Sequence, residues 1–510
     1  IVGAPLANPN SVLLSGSSYV VFGKASGFDA TLDLFNLDGS SGFRLDGVAE
    51  RDISGAVSSA GDINGDGFAD LLVGAGSADP NGIDSGSSYV VFGKASGFDA
   101  AMNLSNLDGN NGFRLDGVTA RDYSGISVSS AGDVNGDGFA DLLIGTNSAD
   151  PNGNLNAGSS YVVFGKASGF DAAMNLSSLD GNNGFRLDGA AGDVSGTSLS
   201  GAGDVNGDGF ADLIVGAYGA DSNDSDSGSS YVVFGKASGF AATLDLSSLD
   251  GNNGFRLDGE AAFDRSGISV SSAGDVNGDG FDDVITGVRY ADPNGIPAAG
   301  SSYVVFGKAA GFDATLDLSS LDGNNGFRLD GAAAYDSTGI SVSSAGDVNG
   351  DGFADVIIGS SRADPNGNYS GSSYVVFGKA SGFDATLNLS SLDSNDGFRL
   401  DGVAEYDFSG FSVSSAGDVN GDGFADMLVG APAATNPNGS YSGSSYVIFG
   451  SNFNGQVTAM GTAGEDKLKG SKAVDRIVAR MCFMAGPVMI RSRSAMLSFN
   501  WPMAAQGSIH

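Results

Sequence analysis

The aromatic-tipped run Ser17-Ser18-Tyr19-Val20-Val21-Phe22-Gly23 returns almost letter for letter, ending at Gly93, Gly165, Gly235, Gly307, Gly378 and Gly450, so the chain repeats every 70 to 72 residues. Self-similarity at that spacing means that one supersecondary unit is copied and that each copy buries its apolar face against its neighbours. One period divides into four short segments rich in Val, Ile, Tyr or Phe and bounded by Gly, Asn, Asp or Ser: Ser124 to Ala131, Asp141 to Gly145, Ser159 to Gly165 and Gly184 to Gly189. Each has the length of a strand. A stretch such as Leu246-Ser247-Ser248-Leu249-Asp250 has room for one helical turn inside the longest connection. Four strands per repeat, set around a ring, is a propeller blade. An open β-solenoid is the alternative, but its repeats are usually shorter.

The predicted fold is all-β: a seven-bladed β-propeller of four-stranded antiparallel blades, with the first and last blades incomplete. The count comes from seven Tyr-Val-x-Phe runs against six Phe-Arg-Leu-Asp runs. Ile1-Val2-Gly3-Ala4-Pro5 matches Val429-Gly430-Ala431-Pro432, so the sequence starts inside a blade, and a longer parent chain with one more acidic loop before Ile1 is expected. Three strands are predicted for the first blade, four for each of the next five and at least three for the seventh. The propeller covers 1–450, with blade 1 over 1–50, blades 2–6 over about 51–402 and blade 7 over about 403–450. The Ser- and Ala-rich first segment suits a crowded axis. The Tyr-Val-Val-Phe segment is apolar on both faces, as a strand sandwiched between blades should be.

Between the first two segments of each repeat lies an acidic loop, Asp62-Ile63-Asn64-Gly65-Asp66-Gly67-Phe68-Ala69-Asp70 in its first copy, and six copies are present. Oxygen side chains at positions one, three, five and nine, a Gly at six for a sharp turn and a backbone carbonyl at seven make a pocket for a hard cation. The candidate ligands are Asp62, Asn64, Asp66, Phe68 and Asp70; Asp133, Asn135, Asp137, Phe139 and Asp141; Asp204, Asn206, Asp208, Phe210 and Asp212; Asp275, Asn277, Asp279, Phe281 and Asp283; Asp347, Asn349, Asp351, Phe353 and Asp355; and Asp418, Asn420, Asp422, Phe424 and Asp426. The expected ion is Ca2+, at about six sites. An EF-hand loop closes on a Glu at its twelfth position; here that position is Val73, so Asp70 has to close the loop. Asp-Asn-Gly clusters are also good turn formers, but a turn has no use for a carboxylate four residues beyond its central Asp. With a Kd of about 0.1 mM and roughly 2 mM free calcium, each site would stabilise the fold by about 1.8 kcal/mol.

The formal charge is -36, from 60 acidic and 24 basic residues, which argues against nucleic acid and anionic membrane surfaces as partners. No run of about twenty apolar residues offers a membrane span. The only Cys, Trp and His are Cys482, Trp501 and His510, so the repeats have no residues for a Ser-His-Asp triad, a Cys-His pair, a disulfide or a His-ligated zinc. Lys24 and its equivalents after each Phe-Gly, and Arg44 and its equivalents, recur in register; a repeated surface or inter-blade ion pair is the expected role, with a substrate clamp as the sharper alternative.

The Asp-x-Asn-x-Asp-Gly-x-x-Asp loop, followed by Leu-Val-Gly-Ala and then a Tyr-Val-x-Phe strand, resembles the FG-GAP repeat of the integrin α-subunit β-propeller and its bacterial secreted relatives over roughly residues 1–450. The resemblance implies seven blades, calcium in loops between the first and second strands, and adhesion or ligand binding. Further on, Gly461-Thr462-Ala463-Gly464-Glu465-Asp466 resembles the entry into RTX-type (haemolysin-type) calcium repeats, so 451–478 reads as an RTX-like linker. Over 479–510 the acids vanish, and codons that can encode this stretch can spell a Gly-Asp-rich string in a neighbouring frame; an out-of-frame tail is expected, which the gene sequence tests. The functional expectation is a calcium-binding, non-enzymatic adhesion or interaction module of a larger secreted or cell-surface bacterial protein, with an extracellular protein or glycan as ligand. The alternatives are a carbohydrate-binding, lectin-like propeller or the propeller domain of a secreted hydrolase.

Overall fold

In a computed structural model of the chain, the repeated Ser-Ser-Tyr-Val-Val runs form the third strand of each of seven blades around a ring. The structure describes residues 1–453 except Ser168, Ala310, Pro437, Asn438 and Ser440, together with strands Val457–Met460, Arg476–Val478 and Arg480–Met484. Blade 3 shows the pattern: Ser127–Gly132, Asp141–Thr146, Ser159–Val163 and Gly184–Asp188 run antiparallel in that order from the axis outward. The first pairing slips by one residue between Ser130 and Gly132. Such a bulge bends the strand and swings the chain into the acidic loop. The same slip recurs in blades 2 and 4–7. Blade 1 contributes Val2–Ala4, Ser17–Val21 and Gly42–Asp46.

The small-residue first strands meet one another around the axis, as their composition requires. The core lies between blades. One cluster joins Leu143, Phe185 and Leu187 of blade 3 to Leu213, Val215 and Tyr231 of blade 4, and equivalent clusters fill the other gaps. All five residues of Ser159–Val163 are buried, which fits a strand covered on both faces.

Blades 1–5 each carry one strand in addition to those predicted, a fourth in blade 1 and a fifth in blades 2–5. Ala101–Asn103, Ala173–Asn175, Thr243–Asp245, Thr315–Asp317 and Thr386–Asn388 come from the long connection of the following blade and lie parallel to the outermost strand of the preceding one. A short 3-10 turn follows each, such as Leu246–Ser248, whose preceding Asp245 accepts a hydrogen bond from the Ser247 N–H. The same connection delivers an aromatic ring: Phe170 of blade 3 stacks on Phe113 of blade 2 at 4.6 Å between centroids. Lys166 Nζ sits 4.9 Å from the centroid of Phe170, so the recurring lysines are cations over the clasping rings. The recurring arginines do form ion pairs, but with the Asp two residues along their own strand, as in Arg186 to Asp188 at 2.5 and 2.7 Å.

In blade 7 the fourth strand is Arg480–Met484, antiparallel to Ser444–Ile448, and Thr31–Asp33 of blade 1 lies parallel to it, so the ring closes through the stretch whose composition set it apart. The RTX-like motif at 461–470 lies outside the described residues. Among the described residues no helix is long and apolar enough to cross a membrane. Phe113→Ala, which empties a site 1% exposed, is expected to cost about 3–5 kcal/mol in urea unfolding; Phe35→Ala, at an exposed ring, serves as the control and should cost less than about 0.5 kcal/mol.

Candidate cation loops and the opposite face

Because neighbouring strands run antiparallel, connections after the first and third strands emerge at one end of the propeller, and those after the second and fourth at the other. All six acidic loops therefore share one face. Each is folded by its own side chains. In blade 3, Asp133 accepts hydrogen bonds from the N–H groups of Gly136, Asp137 and Gly138 at 2.7, 3.1 and 2.9 Å. Asn135 Oδ1 accepts from the Asp137 N–H, and Asp137 from the Phe139 N–H. The ninth residue behaves differently: Asp141 is fully buried, and its two oxygens accept from the Val134 and Gly165 N–H groups at 2.9 Å each.

The predicted ligands are thus brought into one loop, while the ninth carboxylate is tied to backbone amides on its inner side. Among the described residues no group of three or more His, Cys, Asp or Glu side chains closes into a cage. The donor set still fits a hard cation, being oxygen only. Burial pushes Asp141 up to about 7, and the charges of Asp137 and Asp133 add to it, so three carboxylates crowd one another. The equivalent residues follow: Asp70 and Asp426 about 6, Asp212 about 7, Asp283 and Asp355 about 8, with burial as the first cause in each.

The loops are also coupled around the ring. The Ala140 N–H donates to the Asp62 carbonyl of the preceding loop at 3.1 Å, and the Lys166 N–H to that of Ile63 at 2.9 Å. The ring of Phe139 lies over Gly65, where a Cβ would come within 2.4 Å of it. Sequence reasoning passed over Asp282, which stands where the other loops have Ala; its Oδ2 accepts from the Asp204 N–H of the preceding blade at 2.8 Å. The visible signal was that single substitution at position eight.

The opposite face is built otherwise. Each connection from a fourth strand to the next first strand is zipped to the neighbouring second-to-third connection: the N–H groups of Phe263, Arg265 and Ser266 donate to the carbonyls of Ser225, Asp226 and Ser227. Two residues per zipper take positive φ, for example Phe263 at 65° and Arg265 at 59°. At the corresponding positions the other blades show Arg51 and Ile53, Arg121 and Tyr123, Gly192 and Val194, Tyr335 and Ser337, and Tyr406 and Phe408. A fixed backbone thus holds out varied side chains. Of the fifteen large exposed hydrophobic residues described, all but Phe35 and Phe68 lie on this side.

Six segments of the chain match the FG-GAP repeat: residues 54–91, 124–163, 195–233, 266–305, 338–376 and 409–448. The chain is 28% identical over 247 residues to integrin alpha-V of Gallus gallus, covering 48% of this chain and 20% of that protein. It is 31% identical over 168 residues to integrin alpha-4 of Xenopus laevis, covering 33% of this chain and 14% of that protein. It is 30% identical over 198 residues to phosphatidylinositol-glycan-specific phospholipase D of Bos taurus, covering 36% and 21%. The alignments thus span 14 to 21% of these relatives.

Gly136 has φ +71° and a Cβ there would meet Phe210 at 2.3 Å, whereas Gly138 has φ +90° and open space. Gly138→Ala is expected to cost the left-handed backbone penalty of about 1–2 kcal/mol, Gly136→Ala more, and Phe210→Ala added to Gly136→Ala should recover the difference in thermal melts. The raised pKa values set a second expectation. A native carboxyl titrating at 6 to 8, against about 3.9 unfolded, contributes stability that is complete below about pH 4 and lost as pH rises through 6 to 8. In calcium-free buffer the melting temperature should therefore fall between pH 5 and pH 8.

Proposed function

We propose that this chain, an FG-GAP β-propeller similar to that of integrin α-subunits, is a calcium-stabilised, non-catalytic interaction module of a secreted or cell-surface protein of bacterial type. The observation that carries the reading is the division of the two faces. One repeats an oxygen-lined acidic loop six times. The other gathers thirteen of the fifteen large exposed hydrophobic residues on connections held by a repeated backbone zipper whose side chains differ from blade to blade. Exposed apolar and aromatic residues gathered on one side mark an interaction surface.

Calcium would be held by the Asp, Asn and Asp side chains and the seventh-position carbonyl of each loop, with the ninth Asp closing it. Binding would relieve the repulsion among the three carboxylates and tighten loops already joined blade to blade. Sites of this kind are weak, around 0.1–1 mM in extracellular modules, and so load outside cells. Six ions would move the formal charge from -36 to about -24. A second reading, the propeller domain of a secreted hydrolase with catalytic carboxylates of its own, is favoured by the relative named as a phospholipase D. Phosphodiesterase and glycosidase panels on the full chain separate the two.

Calorimetric titration of the full chain should count about six calcium ions and melts should shift upward with calcium; Asp137→Ala should remove one ion and leave five. A count of zero with no shift would return the loops to the role of turns. For the interaction face, Phe263→Ser and Tyr335→Ser should leave the melting temperature within about 0.5 kcal/mol of stability yet lower adhesion of protein-coated beads to cells or matrix. Unchanged adhesion would remove that face from the reading.

A further inference from the structure

Residues 1–453 contain seventeen Lys and Arg, of which twelve belong to the two repeated series that pair with Asp or sit over Phe. The remaining five are Arg51, Arg121, Arg265, Arg289 and Arg362, and all five lie in connections on the face opposite the acidic loops. Arg265 and Arg289 converge where blades 4 and 5 meet, and Arg362 follows the second strand of the next blade.

Arg289 and Tyr290 follow the second strand of blade 5, Asp283–Val288. The corresponding place in blade 4 holds Tyr218, and in blade 6 Arg362. The Arg289 guanidinium lies over the Tyr290 ring at 4.4 Å and donates to the Tyr290 hydroxyl at 2.6 Å. Arg265 reaches between Tyr218 and Tyr290, 5.6 Å from each ring. The Arg362 N–H is tied to the Asp336 carbonyl, which fixes its backbone against the next zipper, between blades 5 and 6. Arg289 Nε is buried without a hydrogen-bond partner. None of the three guanidinium groups makes an ion pair with a carboxylate among the described residues.

Two carboxyls stand nearby. Asp264 and Asp292 line a cavity of about 370 Å³ beside Arg265 and Tyr290. Asp292 is already engaged by the Ala298 N–H at 2.6 Å, and Asp264 is buried to 9% exposure. Burial holds the Arg289 guanidinium below its ordinary range, and the charges of Arg362 and Arg265 push the same way. A chain of net charge -36 has sixty acids with which to neutralise such a cluster, and the two nearest, Asp264 and Asp292, share a cavity with Arg265 without closing an ion pair. A buried guanidinium N–H without an acceptor, as at Arg289 Nε, is costly to maintain. It becomes an asset when an outside acceptor arrives.

We propose that Arg265, Arg289 and Arg362, backed by Tyr218 and Tyr290, form a binding site for a single carboxylate side chain, Asp or Glu, presented by a partner protein. A planar guanidinium edge with free N–H groups matches a carboxylate in two parallel hydrogen bonds. The exposed ring of Phe263 lines the same cavity as Arg265 and Tyr290 and would pack against apolar residues beside the acid, which is the Arg and aromatic make-up of an interface hot spot. An extended polyanion is disfavoured because the rest of the surface repels it. The proposal rests on this being the ligand face, and it names the chemistry recognised there.

The test uses the full chain with 15N-labelled arginine and the probe N-acetyl-glutamate methylamide, against its glutamine analogue at equal ionic strength. A saturable shift of one Nε–H resonance is expected with the glutamate compound alone. Arg289→Lys should abolish that resonance and identify it, and the double substitution Arg265→Gln, Arg362→Gln should weaken binding at least tenfold with an unchanged melting temperature. Equal responses to the two analogues, or undiminished binding in the double variant, would overturn the site. A larger response to an oligogalacturonate than to the glutamate compound would overturn its assignment to a protein side chain. The titration reads the cluster itself, so it can succeed even where bead adhesion fails, which keeps the two readings separable.

Discussion

Most blades of this propeller are finished by a neighbour. The outermost strand of each of blades 1 to 5 is paired by three residues from the next blade, and its buried Phe is covered by a ring from that same connection. The hydrophobic core is correspondingly distributed between blades. Everything else hangs on this mutual dependence. It aligns the first strands at the axis, it brings each acidic loop against the preceding one, and on the far face it lets Arg265 reach rings of two neighbouring blades.

Much of this was legible. The period of Phe22 and its equivalents gives the blade count, and the Asp62 to Asp70 pattern gives the position of the loops between the first and second strands. The fifth strands were not legible, because Thr243–Asp245 is three residues long and pairs with another repeat, so it has no period of its own. The zippers escaped for a related reason: positive φ at Ile53 or Val194, both β-branched, runs against local preference and is imposed by three hydrogen bonds to a connection some 40 residues away. The arginine cluster could be seen only as an interruption of the repeat at Arg289-Tyr290, since its members are 24 and 73 residues from one another in sequence.

The chain sorts its repeated acidic loops and its unrepeated arginines by topology. Alternating strand direction sends every acidic loop to one end and every unrepeated arginine of residues 1–453 to the other. The repeated Lys and Arg are neutralised locally, over rings or against an Asp two residues away, and so leave the two faces their opposite characters. Repetition supplies the scaffold, and the few departures from it supply whatever is particular to this chain.

The clasp also has a direction. Arg44 pairs with Ala101, 57 positions later, and the same reach recurs blade after blade, whereas Thr31 waits for Cys482. A chain emerging amino end first from a ribosome or a secretion channel can therefore lock each blade as soon as the next connection appears, leaving one open edge at a time. Only the final closure spans the whole ring, and because the entropy of closing a loop grows with the logarithm of its length, that last step costs little more than the ones before it. The pairings allow assembly like a zip, in the order in which the chain is made.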